Sequence, residues 1–384
     1  MKKIYLDNAA TTQVDTDVLD SMYAVMRDFY GNPSSTHSFG KASKTLVEKA
    51  RKSIARIFNA QSGEIIFTSG GTEADNLILR AAIRNLGVDV IITSKIEHHA
   101  VLKTVEQLCL DNNVTVEYVN LGENGNVDIQ HLESLLTKNE SQKTLVSLMH
   151  VNNEVGNILN IENVANLCKD YKAYFHSDTV QSVHHLGIDT QKIPVDFFTG
   201  SAHKFHGPKG IGFAYIRKDS GLRAIVTGGE QERGLRAGTE SVHSIVGLET
   251  AFLKAIQNKK EIDEHLLKIK QYFKEGLQQA FPDVAFNGTS GDLELSSPSI
   301  LNVRFPFPPE KGKLLLFHLD LLGGVACSAG SACQSGSNQD SHVLKAILSS
   351  EDLKKTSIRF SFSKYNTKEE IDSVLETLIA FAKN

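Results

Sequence analysis

Residues 64–85, EIIFTSGGTEADNLILRAAIRN, put a short apolar run directly before a Gly-Gly turn and then a stretch whose apolar residues recur at helical spacing. The pairing repeats outward along the chain. VDVIITS (88–94) precedes HHAVLKTVEQLCLDNN (98–113), KTLVSLMH (143–150) precedes ENVANLCKDYK (162–172), and AYFHSD (173–178) and VDFFTGS (195–201) follow. Strands alternating with helices predict an α/β fold with a mostly parallel central sheet flanked by helices. Ligands in such sheets bind where the strands end. After IVGLETAFLKAIQNK (245–259) comes a polar helical stretch, KKEIDEHLLKIKQYFKEGLQQA (259–280), then strand-like runs SILNVRF (299–305) and SIRFSF (357–362) and a last helix. The expected division is a large domain over 16–255 and a smaller α+β domain over 256–384, with 1–15 as an N-terminal arm packing near the latter.

A chain of 384 residues exceeds what one hydrophobic core usually supports, which agrees with two domains sharing a cleft. Hydrophobic residues at 41% and charged residues at 22% are ordinary for a globular protein, and no window reaches the length of a membrane span. A formal net charge of −4 gives no broad basic field, so neither nucleic acid nor membrane is an expected partner. No apolar segment follows Lys2 and Lys3, so no signal peptide is read and the cytoplasm is expected. Cys109, Cys168, Cys327 and Cys333 show no CxxC spacing, which fits a reducing compartment.

Five features point to chemistry. Lys204, in TGSAHKFHGPKGIGF (199–213), stands just past an apolar run among small residues and two histidines. A lone lysine is ordinarily solvated, but Schiff-base chemistry needs an amine at such a strand end, with its pKa lowered by its surroundings. Asp178 closes the run AYFHSD, and Gln181 follows it. Pyridoxal 5′-phosphate (PLP) needs a carboxylate facing its pyridine nitrogen, and Asp178 is placed for that, with Gln181 near the ring hydroxyl; the plainer reading is that both cap a following helix. Gly70, Gly71 and Thr72 form a turn before a helix, a phosphate seat or an ordinary connection. Cys333 lies among Ser, Gly and Gln in GGVACSAGSACQSGSNQDSH (323–342), unlike Cys109 and Cys168, which read as core residues, while Cys327 either ends a strand or stands close to Cys333. Arg359 alternates with Ile358 and Phe360, and its fork suits a carboxylate. Paired histidines without HExxH or CxxC partners argue against a metal, and His98 is better used stacked on a cofactor ring.

Taken together, YLDNAATT (5–12), YGNPSSTH (30–37), TSGGTEADN (68–76), EHHAVL (97–102), HVNNEVG (150–156), HSDTVQS (176–182), SAHKFHGPKG (201–210), GGEQERGLRAGT (228–239), SAGSACQSGS (328–337) and IRFSFSKYNT (358–367) occur in one order along nearly the whole chain. In this the chain resembles the cysteine desulfurases of the NifS and IscS kind, PLP-dependent enzymes of fold type I. The resemblance implies that Lys204 carries PLP, His98 stacks on the ring and Asp178 pairs with its nitrogen. Gly71, Thr72, Ser201 and His203 would hold the phosphate, with Thr239 reaching it from the other subunit of a homodimer. Asn153 and Gln181 would lie near the ring hydroxyl, and Arg359, aided by Asn153, would clamp the substrate carboxylate. Cys333 would take the sulfur of L-cysteine as a persulfide, leaving L-alanine, and pass it to an acceptor such as an iron–sulfur scaffold. Selenocysteine lyase and PLP aminotransferase are the alternatives. Cys327 and Gln334 depart from the small or hydroxyl residues more usual in that loop, and the chain ends 25 residues after Arg359, without a longer scaffold-docking tail.

Overall fold

The computed structural model describes residues 3–329 and 341–383. The expected α/β pattern is realised as a seven-stranded sheet built from β2 (Ile65–Thr68), β3 (Val90–Thr93), β4 (Thr115–Tyr118), β5 (Thr144–Ser147), β6 (Tyr174–Asp178), β7 (Phe197–Ser201) and β8 (Gly212–Ile216). Its order is β2-β8-β7-β6-β5-β3-β4, and only β8 runs against its neighbours. β1 (Ile4–Tyr5) precedes this sheet in the chain and pairs in parallel with β11 (Val325–Ala326).

Period-two alternation assigns the strand side chains to two cores, as a sheet buried on both faces requires. Phe67, Ile92, Val146, Phe175, Phe198 and Phe213 face one way, against α1 (Thr16–Asp28), α2 (Ser38–Ile57), α5 (Ile129–Lys138), α6 (Ile161–Asp170) and α7 (Val242–Gln257). Ile66, Ile91, Leu145, Phe197 and Ala214 face the other way, against α3 (Gly71–Ala81) and α4 (His99–Asp111).

A separate apolar core begins after α7. It gathers α8 (Lys259–Ala280), α10 (Leu315–Leu321) and α12 (Lys368–Lys383) around an antiparallel sheet of order β12-β10-β9, formed by β9 (Ala285–Phe286), β10 (Ile300–Arg304) and β12 (Ser357–Ser361). The short α9 (Pro309–Gly312) belongs to this part, whereas α11 (His342–Ile347) packs Val343 and Leu344 against Ile96 and Val155 of the larger one. Ile4 and Leu6 of the N-terminal arm are buried in the same core, while Thr12 donates to the carbonyl of His203 in the larger part. The arm therefore crosses from one core to the other beside Lys204.

Two sequence readings need correction. No regular helix follows Asp178; the chain instead makes a run of turns in which Ser182 N–H donates to the Thr179 carbonyl, so Asp178 and Gln181 do not cap a helix. Cys168 is buried, but Cys109 is only half-buried, because α4 turns Val101, Val105 and Leu108 to the sheet and Cys109 falls one position past that stripe. Cys327 follows β11 directly and packs against the small core, as a strand-ending residue does.

One buried ion pair fixes the edge of the large sheet. Arg51 of α2, 2% exposed, donates to both carboxylate oxygens of Glu232 at 2.6 and 2.9 Å, and Glu232 also accepts the Phe67 N–H of β2. Removing one partner of such a pair strands a buried charge at a cost of about 3–5 kcal/mol. Arg51→Ala is expected to lower the urea unfolding midpoint accordingly, and a midpoint equal to that of the parent protein would show that the pair has no such role.

Candidate active site

The parallel strands direct their C-terminal ends at one cavity of about 240 Å³. Its lining brings together Gly71, Thr72, His98, Asn153, Asp178, Gln181, Ser201, His203, Lys204 and Arg359, ten positions expected from the sequence although they span nearly three hundred residues of chain. Two other expected positions remain. Thr239 is exposed on the loop held by Arg51 and Glu232, outside this lining, and Cys333 lies outside the described residues.

Lys204 ends the turn that follows β7, and its ammonium donates to the carbonyls of Ala9 and Ala10 at 2.6 and 2.8 Å. Asp178, the last residue of β6, is 6% exposed and accepts the Val180 N–H at 2.9 Å. Burial, and then the charge of Asp75, raises its carboxyl to about 6. Gln181 donates its side-chain amide to the Ala9 carbonyl. His98 caps α4: its Nδ1 accepts the Ala100 N–H at 3.1 Å, which fixes a neutral ring at that nitrogen, and burial lowers its pKa further.

The start of α3 offers backbone N–H groups to an anion. Gly71 begins α3, and a Cβ placed there would lie 2.6 Å from a Val180 methyl, so glycine lets the first turn sit close against the loop after β6. Unpaired N–H groups at this helix start favour an anion. Ser201 ends β7 beside it, and His203 is held by Thr11 at 3.1 Å, with burial pulling its pKa down to about 3. A helix start for a phosphate, a buried carboxylate for a ring cation, a flat imidazole and a lysine amine form the donor set that PLP requires.

Arg359 is 1% exposed on β12. It donates to the Asn153 carbonyl at 2.9 Å and to Asp7 at 2.8 Å, while its Nε has no hydrogen-bond partner among the described residues. Its backbone pairs with Ser328, five positions before Cys333. The sequence reading did not single out Asp7, Asp75 or Glu97, although all three stand in motifs it quoted. Glu97 accepts from Ser94 and from the Met149 N–H, its second oxygen has no partner among the described residues, and burial raises it to about 8.

The family model for aminotransferase class V matches residues 4–374. The chain belongs to that family. Within class V it groups with the cysteine desulfurases of the NifS and IscS kind, and its cofactor is PLP. It is 40% identical to cysteine desulfurase IscS of Dictyoglomus turgidum over 98% of this chain and 94% of that one. It is 44% identical to putative cysteine desulfurase IscS 1 of Bacillus subtilis, over 97% and 96%. Among solved structures, a NifS-like protein superposes with a TM-score of 0.90 at 36% identity over the whole of both chains, and SspA in complex with cysteine with 0.79 at 32% over 95% of this chain and all of that one.

A carboxyl whose pKa is higher in the folded class V chain than in the unfolded one stabilises the fold fully below its unfolded value, and that contribution is lost as pH rises through the folded value. For Glu97 the window runs from 4.5 to about 8. Glu97→Gln is expected to gain stability relative to the parent protein as pH rises through this window, read by urea unfolding of the cofactor-free chain. A difference that stays constant with pH would refute the buried, protonated glutamic acid.

Proposed function

We propose that this chain is a cysteine desulfurase that converts L-cysteine to L-alanine, with Lys204 as the cofactor lysine and Cys333 as the sulfur acceptor on the enzyme. The observation that supports this most is the shared cavity: an amine, a buried carboxylate and a buried guanidinium converge on one space large enough for a cofactor and a small amino acid.

PLP, when bound, supplies an electron sink for the pair left on the substrate's Cα after deprotonation. Gly71, Thr72, Ser201 and His203 would hold its phosphate, Asp178 would pair with its ring nitrogen, Gln181 and Asn153 with its ring hydroxyl, and His98 would stack on the ring. Arg359 binds the substrate carboxylate and so points the amino group toward Lys204. The Lys204 amine, on the lining of the same cavity, would take the Cα proton. The Cys333 thiolate then attacks the substrate's sulfur. An S–S bond forms, the Cβ–S bond breaks with its electron pair remaining on carbon, and reprotonation yields alanine while Cys333 keeps the sulfur as a persulfide. An acceptor protein for sulfur transfer, such as an iron–sulfur scaffold, takes it from there.

A homodimer is part of this reading. Leu19, Tyr23 and Met26 of α1, Tyr30 just after it and Phe39 at the start of α2 are more than half exposed, an apolar surface of the kind a second copy covers, and the exposed Thr239 is available to a partner's phosphate. The division into domains 16–255 and 256–384 with an arm over 1–15 is supported by the separate cores. A cytoplasmic location agrees with Cys109, Cys168 and Cys327 being free thiols.

Lys204→Ala is expected to lose the visible absorbance of the bound cofactor; an unchanged spectrum would sink the lysine assignment. Cys333→Ser should keep that absorbance yet form no persulfide on incubation with L-cysteine, as read by mass spectrometry after thiol alkylation, and full sulfide release by this variant would refute the nucleophile. Arg359→Ala should cost about 2–5 kcal/mol of L-cysteine binding, and unaltered affinity would contradict a carboxylate clamp.

A further inference from the structure

Asp75 of α3 is 1% exposed and lines the same cavity as Asp178. Thr199 of β7 donates its hydroxyl to Asp75 Oδ1 at 3.0 Å, and Nε2 of His176 lies 3.4 Å from the same oxygen. His176 is 0% exposed, its Nδ1 sits 2.9 Å from the hydroxyl of Ser147 on β5, and it stands two residues before Asp178 on β6, so the two project to one face. The groups set around Asp75 are therefore Asp178 and His176 from β6, Thr199 from β7, and Glu97 and His98 ahead of α4, with Lys204 on the cavity lining.

Burial lowers His176 to about 4, so at neutral pH the imidazole brings no positive charge to Asp75. Burial also raises Asp75 to about 7, and the charge of Asp75 in turn raises Asp178. Two carboxyls sharing a buried wall ionise as a coupled pair, and a cation placed against one of them favours the charged form of both. A protonated pyridine ring is such a cation.

Resting on the reading that Asp178 faces the cofactor's ring nitrogen, we propose that Asp75 is a positioning residue that adds a second negative charge to this wall and, through Asp178, keeps that nitrogen protonated. Thr199 holds the Asp75 carboxylate, and the neutral His176 stands beside it without cancelling its charge.

The test uses holoenzyme reconstituted with PLP labelled with ¹⁵N in the ring, whose nitrogen shift is followed against pH. In Asp75→Asn the ring nitrogen is expected to lose its proton about one pH unit or more below the parent protein, with cofactor affinity, from absorbance titration, weakened about tenfold. Asp75→Glu, which keeps the charge, should restore most of both. A parent-like nitrogen titration in Asp75→Asn, even with lowered thermal stability, would overturn the proposal in favour of a purely structural role. Thr199→Val provides a second arm: it keeps the carboxylate and should move the titration little, whereas a shift as large as that of Asp75→Asn would overturn the charge account. Asp178→Asn should move the titration most. If it moves nothing, the reading of Asp178 fails and this proposal with it, while a failure confined to Asp75 leaves that reading standing.

Discussion

The N-terminal arm holds both cations of the cavity. Ala9 and Ala10 give their carbonyls to the Lys204 ammonium, and Asp7 gives its carboxylate to the Arg359 guanidinium, all from one turn in which the Ala10 N–H donates to the Asp7 carbonyl. Placing an amine and a guanidinium away from water is costly unless each is paired, and the arm supplies those partners from a strand anchored to β11 and to the smaller core. The relative position of Lys204, which belongs to the large sheet, and Arg359, which belongs to the small one, is thus set by a segment that touches both. That constraint explains why a two-core chain can form one precise cavity.

Electrostatics then differentiates the walls. Cations face the space from β12 and from the turn after β7, and buried acids face it from β6 and α3. In the proposed reaction Arg359 meets the carboxylate of an amino-acid substrate, and Asp178 meets the nitrogen of a cofactor ring that accepts electrons. Burial raises the acids and lowers the histidines throughout this region, which is the condition under which a bound cationic ring is strongly favoured. The base of the Cys333 segment is paired with the backbone of Arg359 through Ser328. The residue proposed to orient the substrate therefore also pairs with the start of the segment that carries the proposed nucleophile.

Much of this was legible in the residues. The strand-then-helix rhythm from EIIFTS onward specified the sheet, because each apolar run was short and bounded by turn residues, and the strand-end positions of Asp178, Ser201 and Lys204 followed from where those runs stop. Ten expected residues line one cavity. What the rhythm did not show was the reversal of β8, since GIGFAYI reads the same in either direction and only pairing with β2 and β7 sets its sense. Asp75 and Glu97 were hidden because a carboxylate in a helical or turn pattern looks solvated until tertiary packing buries it. The alternative that Asp178 and Gln181 cap a helix arose because an acid followed by polar residues resembles a cap, whereas the chain there makes turns.

The most direct test of the account is a product balance. Purified holoenzyme incubated with L-cysteine and a thiol reductant should release alanine and sulfide in equal amounts, with no pyruvate. Sulfide accompanied by pyruvate, or a keto acid without sulfide, would show that the cavity performs elimination or transamination and would contradict the assignment.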